Sequence, residues 1–121
     1  MNWEEIKKKC PKAFVVFVEW TRKMNLYHTN PLIMYFNPKE QICAYRILYD
    51  FFDEKNIIIG IDTVTSNGHS TIFDWTIREH DFDNDLGYAE NDIYSRTEAE
   101  TEAFTKAFEI LEKRLKWTFF Q

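Results

Sequence analysis

The chain has 121 residues and a mass of 14.7 kDa, with 15 Lys and Arg against 20 Asp and Glu, a formal net charge of −5. A composition that is 45% hydrophobic and 29% charged excludes a disordered or collagen-like chain and is typical of a globular domain. The longest apolar run, Ala13 to Val18, is far too short to cross a membrane. We therefore predict a single domain over residues 1–121 that does not enter a membrane.

Two cysteines, Cys10 and Cys43, lie far apart in the chain, and neither belongs to a CxxC pair of metal or redox type. We expect reduced and mostly buried thiols, because a free cysteine behaves as a small apolar residue. No small-residue cleavage site follows the first apolar stretch, so a secretory signal is not indicated. These features favour a cytoplasmic protein that needs no cofactor.

Two consecutive helices are predicted at the start of the chain. Asn2 is a capping residue with Glu5 three positions later, and Pro11 suits the first position of a helix. The β-branched Val15 and Val16 leave a strand as the alternative for the second segment. Read as a helix, that segment has a polar face and an apolar face at helical spacing: Lys12, Glu19, Arg22 and Lys23 against Phe14, Phe17, Val18 and Met24.

A third helix is predicted to begin at Pro38. Residues 32–36 form a candidate short strand, and Asn37-Pro38-Lys39-Glu40 then combines a capping residue, a first-position proline and an early glutamate. Asn56 offers the left-handed residue that ends a helix. Between them, apolar residues follow at helical spacing: Ile42, Tyr45, Leu48, Tyr49 and Phe52.

A β-hairpin is predicted from two β-type runs, about 57–64 and 71–78. A three-residue loop with Gly68 in a left-handed conformation would place Ile61 opposite Phe73 and Ile59 opposite Trp75, whereas a two-residue Asn-Gly turn would place Ile61 opposite Asp74. We therefore predict the three-residue loop. One face of the hairpin is apolar and must be covered: Ile57, Ile59, Ile61, Phe73, Trp75 and Ile77.

Residues 79–94 show no sustained periodicity and are predicted to be a long loop. Ser95 and Glu98 form a capping box for a long C-terminal helix over about 96–116, with an apolar stripe at helical spacing. The predicted fold class is α+β, with a small antiparallel sheet packed against helices. The stripe consists of Ala99, Ala103, Phe104, Ala107, Phe108, Leu111 and Leu115.

The negative charge is concentrated in residues 74–102, which carry ten acids against Arg78 and Arg96. Such a surface attracts a basic partner and argues against direct nucleic-acid binding. Alternate carboxylates in Asp81-Phe82-Asp83-Asn84-Asp85 leave a Ca²⁺ or Mg²⁺ loop at 81–92 as an alternative, although the glycine and the final ligand depart from the EF-hand pattern. The predicted partner-binding residues are Glu79, Asp81, Asp83, Asp85, Glu90 and Asp92, with no specific metal site.

No catalytic signature is present. The three histidines are scattered, only His80 has carboxylate neighbours in sequence, and three glycines cannot build a phosphate cradle. We therefore predict a protein that is not an enzyme. Aromatic residues make up 17% of the chain, and three near the C-terminus fall beyond the helical stripe, where they would fold back or contact another chain in a homodimer: Trp117, Phe119 and Phe120.

Two stretches carry a resemblance. They are Leu48-Tyr49-Asp50-Phe51-Phe52-Asp53, before an isoleucine-rich strand, and the segment from Ser95-Arg96-Thr97-Glu98 through Glu112. They resemble small uncharacterised proteins of gut Bacteroidetes and their phages or prophages, over about half of the chain. The resemblance implies a bacterial or phage cytoplasmic setting, and it brings no catalytic residue to transfer.

Two classes of function follow. The first is a small non-enzymatic accessory or protein-interaction module that uses the acidic surface of residues 79–102, and a phage-type inhibitor that mimics nucleic-acid charge is its sharper form. The second is a structural or oligomeric module that associates through exposed aromatic residues. High salt separates them, because screening weakens contacts between exposed charges and leaves apolar burial intact.

Overall fold

The computed structural model describes residues 1–27, 36–66, 70–79 and 85–119. The two-residue strands β1 and β2 form an antiparallel hairpin, and β3, β4 and β5 form an antiparallel sheet in that order. The predicted α+β class is confirmed, and no described helix is long and apolar enough to cross a membrane. The elements are α1 (Trp3–Lys9), α2 (Pro11–Tyr27), β1 (Phe36–Asn37), β2 (Ile42–Cys43), α3 (Tyr45–Glu54), β3 (Ile58–Ser66), β4 (Ser70–Arg78), β5 (Asp85–Tyr88) and α4 (Arg96–Phe119).

The chain divides into two compact units. We call them the aromatic unit, Met1–Phe51 with Phe108–Gln121, and the sheet unit, Phe52–Ala107. That residues 1–121 fold as a single domain stays a prediction.

The first two helices begin where the sequence predicts. The Glu5 N–H donates to the Asn2 side chain at 3.2 Å, and Pro11 opens α2. Because α2 is helical through Val15 and Val16, the strand alternative for this segment is wrong. The β preference of two adjacent valines is weak against a helix that buries a whole face.

Distant side chains satisfy the first N–H groups of both helices. The Trp3 N–H donates to Oε1 of Gln41 at 2.7 Å. At the start of α2, the N–H groups of Lys12 and Ala13 donate to the two carboxylate oxygens of Glu112 at 3.3 and 2.8 Å. Glu112 is only 3% exposed, and its negative charge lies at the positive end of the helix dipole. These contacts tie α1 to the β1–β2 turn and α2 to α4.

Interlocking rings form the core of the aromatic unit. Trp3 stacks on Phe17 with ring centroids 5.6 Å apart and an interplanar angle of 4°, and Phe36 meets Phe17 edge-on at 4.8 Å. Phe108 from α4 meets Phe17 edge-on at 5.7 Å, and Phe51 from α3 does so at 5.0 Å. Offset and edge-on ring pairs add about 0.5–1.5 kcal/mol each beyond the apolar area they bury. Phe17, which is fully buried, is therefore the centre of this cluster.

The prediction that a helix begins at Pro38 is wrong. Residues 38–41 form the turn between β1 and β2, and α3 begins only at Tyr45. The Asn37 side chain accepts from the N–H groups of Lys39 and Glu40, at 3.1 and 3.3 Å, which is the bond pattern that a helix cap also makes. Gln41 then takes a left-handed φ of 60°, which stops any helix from continuing. Residues 32–35 of the candidate strand lie outside the described residues.

The β3–β4 hairpin has the predicted apolar face and a register that differs from the prediction. Ile59 pairs with Ile77, Ile61 with Trp75 and Thr63 with Phe73, so each partner is shifted by two residues. Pairing ends at Ser66 and Ser70, which leaves three residues between the strands, the predicted number; Gly68 lies outside the described residues. A shift of two keeps every side chain on its face, so hydrophobic alternation does not distinguish the two registers.

The prediction of one long loop over 79–94 is also wrong, because β5 lies within it. Tyr88 pairs with Thr76 and Gly87 with Ile77 on β4. A Cβ atom at Gly87 would lie 3.3 Å from the Trp75 ring, so glycine lets the ring approach the strand closely. A four-residue strand with glycine inside is too short to show a periodic pattern.

Helix α4 confirms the predicted C-terminal helix and extends it to Phe119. The Glu98 N–H donates to Oγ of Ser95 at 3.2 Å, as the capping box requires. The predicted stripe is buried from Ala99 to Leu111, whereas Leu115 is half-buried. In the sheet unit, Phe104 of this stripe stacks on Phe52, with centroids 6.4 Å apart.

Candidate functional site

Two aspartates face each other on the β3–β4 ladder. Asp62 pairs directly with Asp74, on the side opposite the buried Ile59, Trp75 and Ile77. Like charges at directly opposed positions destabilise a sheet, by roughly 0.2–1 kcal/mol for such pairs. The next pair along this side is Val64 with Ile72, and Val64 is 51% exposed. A carboxylate pair therefore lies beside an apolar pair in which Val64 is exposed and Ile72 is half-buried.

A bulge in the chain that follows β5 adds two more carboxylates. The Ala89 N–H donates to the Trp75 carbonyl at 3.0 Å, and the Phe73 N–H donates to the Ile93 carbonyl at 2.7 Å. Between these two points β4 supplies one residue, Asp74, and the other chain segment supplies three, Glu90, Asn91 and Asp92. The extra residues leave the ladder, and both acids are exposed.

These elements border a groove of about 230 Å³ in the sheet unit. Its lining mixes the acidic residues Asp74, Glu90 and Asp92 with apolar residues that include Val64 and Ile72. We call it the acidic groove, and its lining is Val64, Ile72, Phe73, Asp74, Ala89, Glu90, Asn91 and Asp92.

The carboxylates are spread along the groove instead of meeting at one point. Within the described ranges, no group of three or more His, Cys, Asp or Glu residues is placed to hold a metal ion. Separated acidic residues suit a ligand with several separated positive charges, such as the Lys and Arg side chains of a protein surface. The apolar lining residues Val64 and Ile72 would contact their aliphatic stems.

The structure brings together only some of the predicted partner-binding residues. Glu90 and Asp92 line the groove, whereas Glu79 follows β4 and Asp85 lies exposed on β5 opposite Arg78. Asp81 and Asp83 lie outside the described residues, as do all three histidines; of the proposed Ca²⁺ or Mg²⁺ loop, residues 81–84 lie outside and residues 85–92 are described.

The sequence reasoning missed Asp62 as a site residue. With the predicted register, Asp62 faces Ile72 and Asp74 faces Gly60, so the pair of like charges does not appear. The register found in the structure pairs Asp62 with Asp74, so a sequence alignment of the two strands in this register would have indicated the pair of like charges.

The aromatic residues proposed as an oligomer contact are only partly described. Trp117 is 71% exposed, while Phe120 and the side chain of Phe119 lie outside what the structure describes. Two exposed tyrosines were missed by the sequence reasoning. Tyr88 and Tyr94 are each 65% exposed, and they flank the segment that carries Glu90 and Asp92.

The structure places Cys10 in a buried position and Cys43 in a half-buried one, in line with the predicted burial of the two thiols. Burial raises the pKa of the Cys43 thiol to about 12, from an ordinary value of 9.0. Burial also raises the pKa of Cys10, with the Glu112 and Glu109 carboxylates adding to the shift. Because the reactive form of cysteine is the thiolate, neither group is an activated nucleophile near neutral pH.

Comparison of the chain with protein-family models, with curated proteins and with solved structures found no match.

Proposed function

We propose that this chain is a small, non-enzymatic accessory module that binds a basic surface of another protein through the acidic groove. The observation that carries the proposal is the Asp62–Asp74 pair with the bulge beside it. Repulsion between the two carboxylates lowers the stability of the free protein, and binding of a positively charged partner relieves that repulsion. The proposed surface keeps Glu90 and Asp92 of the predicted acidic surface 79–102 and adds Asp74 of β4, which lies outside that range.

The chemistry of the groove favours a protein over a lone cation. A basic protein segment supplies both positive charges for the acidic residues of the groove and aliphatic stems for its apolar residues. The exposed Tyr88 and Tyr94 add aromatic rings on which an arginine side chain can stack. A Ca²⁺ or Mg²⁺ loop at 81–92 remains the alternative for the same segment.

A bacterial or phage cytoplasmic setting is part of the proposal. It is supported by the two free thiols, which a reducing compartment preserves, and by the resemblance to small Bacteroidetes and phage proteins.

The test is capture of partners from a bacterial lysate with a variant that carries Asp74→Asn and Glu90→Gln. The matched control carries Asp50→Asn and Glu4→Gln, two exposed acids of the aromatic unit, so that both proteins change net charge equally. We expect the wild type and the control to capture a partner that the groove variant does not capture. High salt should also release this partner from the wild type. If the groove variant and the control lose the partner equally, the loss follows from net charge alone, and this result would contradict the proposal.

Exposed aromatics support the second candidate, a structural module that self-associates. Trp117, 71% exposed, is the observation in its favour. Light scattering at high protein concentration tests it: a dimer mass that Trp117→Ala reduces to a monomer mass would support self-association. A captured partner that is a nucleic-acid-binding protein, displaced by DNA, would select the charge-mimic form of the first proposal.

A further inference from the structure

Helix α2 has a second apolar stripe that does not face the core. Its buried face carries Ala13, Phe14, Phe17 and Trp20, all 9% exposed or less. Pro11, Val15 and Val18 recur at spacings of four and three along another side, where Val15 is 53% exposed. A stripe of this kind on a helix that already has a buried face is available for contact with another molecule.

Two clefts lie on either side of Val15, and both belong to the aromatic unit. One, of about 330 Å³, lies along α2 toward Val18 and Arg22, and the other, of about 390 Å³, extends from Val16 to Leu115 of α4. Pro11 and Val15 line both clefts. Val15 is therefore a ridge between two shallow, open apolar clefts, which side chains of a partner would fill.

Basic residues border these clefts. Lys7 and Arg22 line the first together with Glu19, and Lys12 lines the second. The aromatic unit carries 11 Lys and Arg against 7 Asp and Glu, a net charge of +4 in a chain whose total is −5. This region has the opposite sign to the sheet unit, which carries 4 Lys and Arg against 13 Asp and Glu.

We propose that this face of α2 binds an amphipathic helical segment of a partner protein whose apolar anchors are flanked by acidic residues. Anchors spaced three or four residues apart enter the two clefts on either side of Val15, which is the usual way in which a helix occupies a groove. The acidic flanks lie against Lys7 and Arg22 and set the orientation and the rate of encounter. The chain then has two binding surfaces of opposite charge, with this one independent of the acidic groove.

The surface favours this occupant over a second copy. A symmetric dimer through this face would bring two basic surfaces together, and like charges across an interface are unfavourable.

The four valines of the chain allow a direct test. Val15, Val16 and Val18 line the two clefts, and the remaining valine, Val64, lines the acidic groove. In protein labelled only at valine methyl groups, each surface reports through its own NMR signals. The probe is a designed helical peptide with Leu at heptad apolar positions and Glu elsewhere, and its control has every Glu replaced by Lys.

We expect the acidic peptide to shift the methyl signals of Val15, Val16 and Val18 saturably and to leave Val64 unmoved. The basic peptide should shift only the Val64 signals if the acidic groove binds a basic partner as proposed above. The two peptides therefore test the two proposed surfaces separately, and one proposal can be contradicted while the other is supported. No saturable shift of the α2 valines at about 1 mM acidic peptide would overturn this inference.

Variants locate the binding face. Val15→Glu should weaken binding of the acidic peptide at least about tenfold, since it places a charge on the central ridge, while Ile42→Glu, at an aliphatic position of the same unit that is 45% exposed, should leave binding unchanged. Lys7→Gln with Arg22→Gln should weaken binding and reduce its salt dependence, and the matched pair Lys23→Gln with Arg46→Gln should not.

Other occupants give different results and would overturn the proposal. A concentration-dependent dimer abolished by Val15→Glu would assign the face to a second copy. Binding to anionic phospholipid vesicles that Val15→Glu abolishes and the acidic peptide does not displace would assign it to a membrane surface.

Discussion

The two units of this chain are built and charged in opposite ways. The aromatic unit has a net charge of +4 and a core of large rings centred on Phe17. The sheet unit has a net charge of −9, and its core combines β-sheet isoleucines with the small Ala99 and Ala103 of α4. Net charge for the whole chain therefore conceals two units of opposite charge, and the two proposed binding surfaces each depend on one of them.

The units also differ in how their polar groups are satisfied. In the aromatic unit the buried Glu112 carboxylate accepts hydrogen bonds from the first N–H groups of α2, so its negative charge stabilises the fold. In the sheet unit Asp62 and Asp74 face each other across a ladder, so charge acts against stability. Opposite effects on folding are thus expected when carboxylates of the two units are neutralised.

The largest effect should come from the ring cluster. Phe17→Ala removes a fully buried ring that contacts Trp3, Phe51 and Phe108, and we expect a loss of about 3–5 kcal/mol in the free energy of unfolding. Val15→Ala on the same helix is the control, because Val15 is 53% exposed and its change should cost under about 1 kcal/mol. Chemical denaturation measures both, and similar midpoints for the two variants would refute the central place of Phe17.

An alkaline loss of stability is expected in the aromatic unit, where burial raises the pKa of both thiols and that of Cys43 to about 12. The folded-state pKa of Cys43 lies above its ordinary value of 9.0, so the folded state holds the thiol proton more tightly. The resulting stability is fully present below pH 9 and is lost as the pH rises toward 12, by up to a few kcal/mol at about 1.4 kcal/mol per pKa unit. Denaturation at a series of pH values should show a shallower alkaline decline for Cys43→Ala, and identical slopes would contradict this account.

Glu112→Gln tests the use of charge for stability. The amide keeps one acceptor oxygen and loses the negative charge at the start of α2, so we expect destabilisation by about 1–3 kcal/mol. Glu19→Gln, at an exposed position of α2, should change stability by less than about 0.5 kcal/mol. Equal effects of the two substitutions on the denaturation midpoint would show that the two N–H contacts of Glu112 contribute little.

Features that depend on neighbouring residues were predictable from the sequence. The starts of α1, α2 and α4 were correctly predicted because Asn2, Pro11 and Ser95 act within one helical turn. Asn56 ends α3 with the expected left-handed φ, of 59°. Asn37 shows the limit of local signals, because its side chain makes the same two hydrogen bonds in a turn as in a helix cap.

Features that depend on distant pairing were not predictable from local patterns. The acceptor for the Ala13 N–H lies 99 residues away at Glu112, and that for the Trp3 N–H lies 38 residues away at Gln41. The candidate site has the same origin, since its geometry depends on the β3–β4 register. Alternation of apolar residues assigns each side chain to a face, and it leaves open which residue lies opposite.

The smallest expected effect is also the one that links stability to the proposed site. Asp62→Asn or Asp74→Asn removes one charge from the opposed pair, so each should stabilise the protein by roughly 0.2–1 kcal/mol. Asp50→Asn, on the exposed surface of α3, should leave the denaturation midpoint unchanged. Because the same two substitutions remove positions that attract a basic partner, a gain in stability should accompany a loss of capture, as is common where binding residues are selected against folding energy. A variant that gained stability and kept its partner would separate the aspartate pair from the binding site and move the site to the bulge at Glu90 and Asp92.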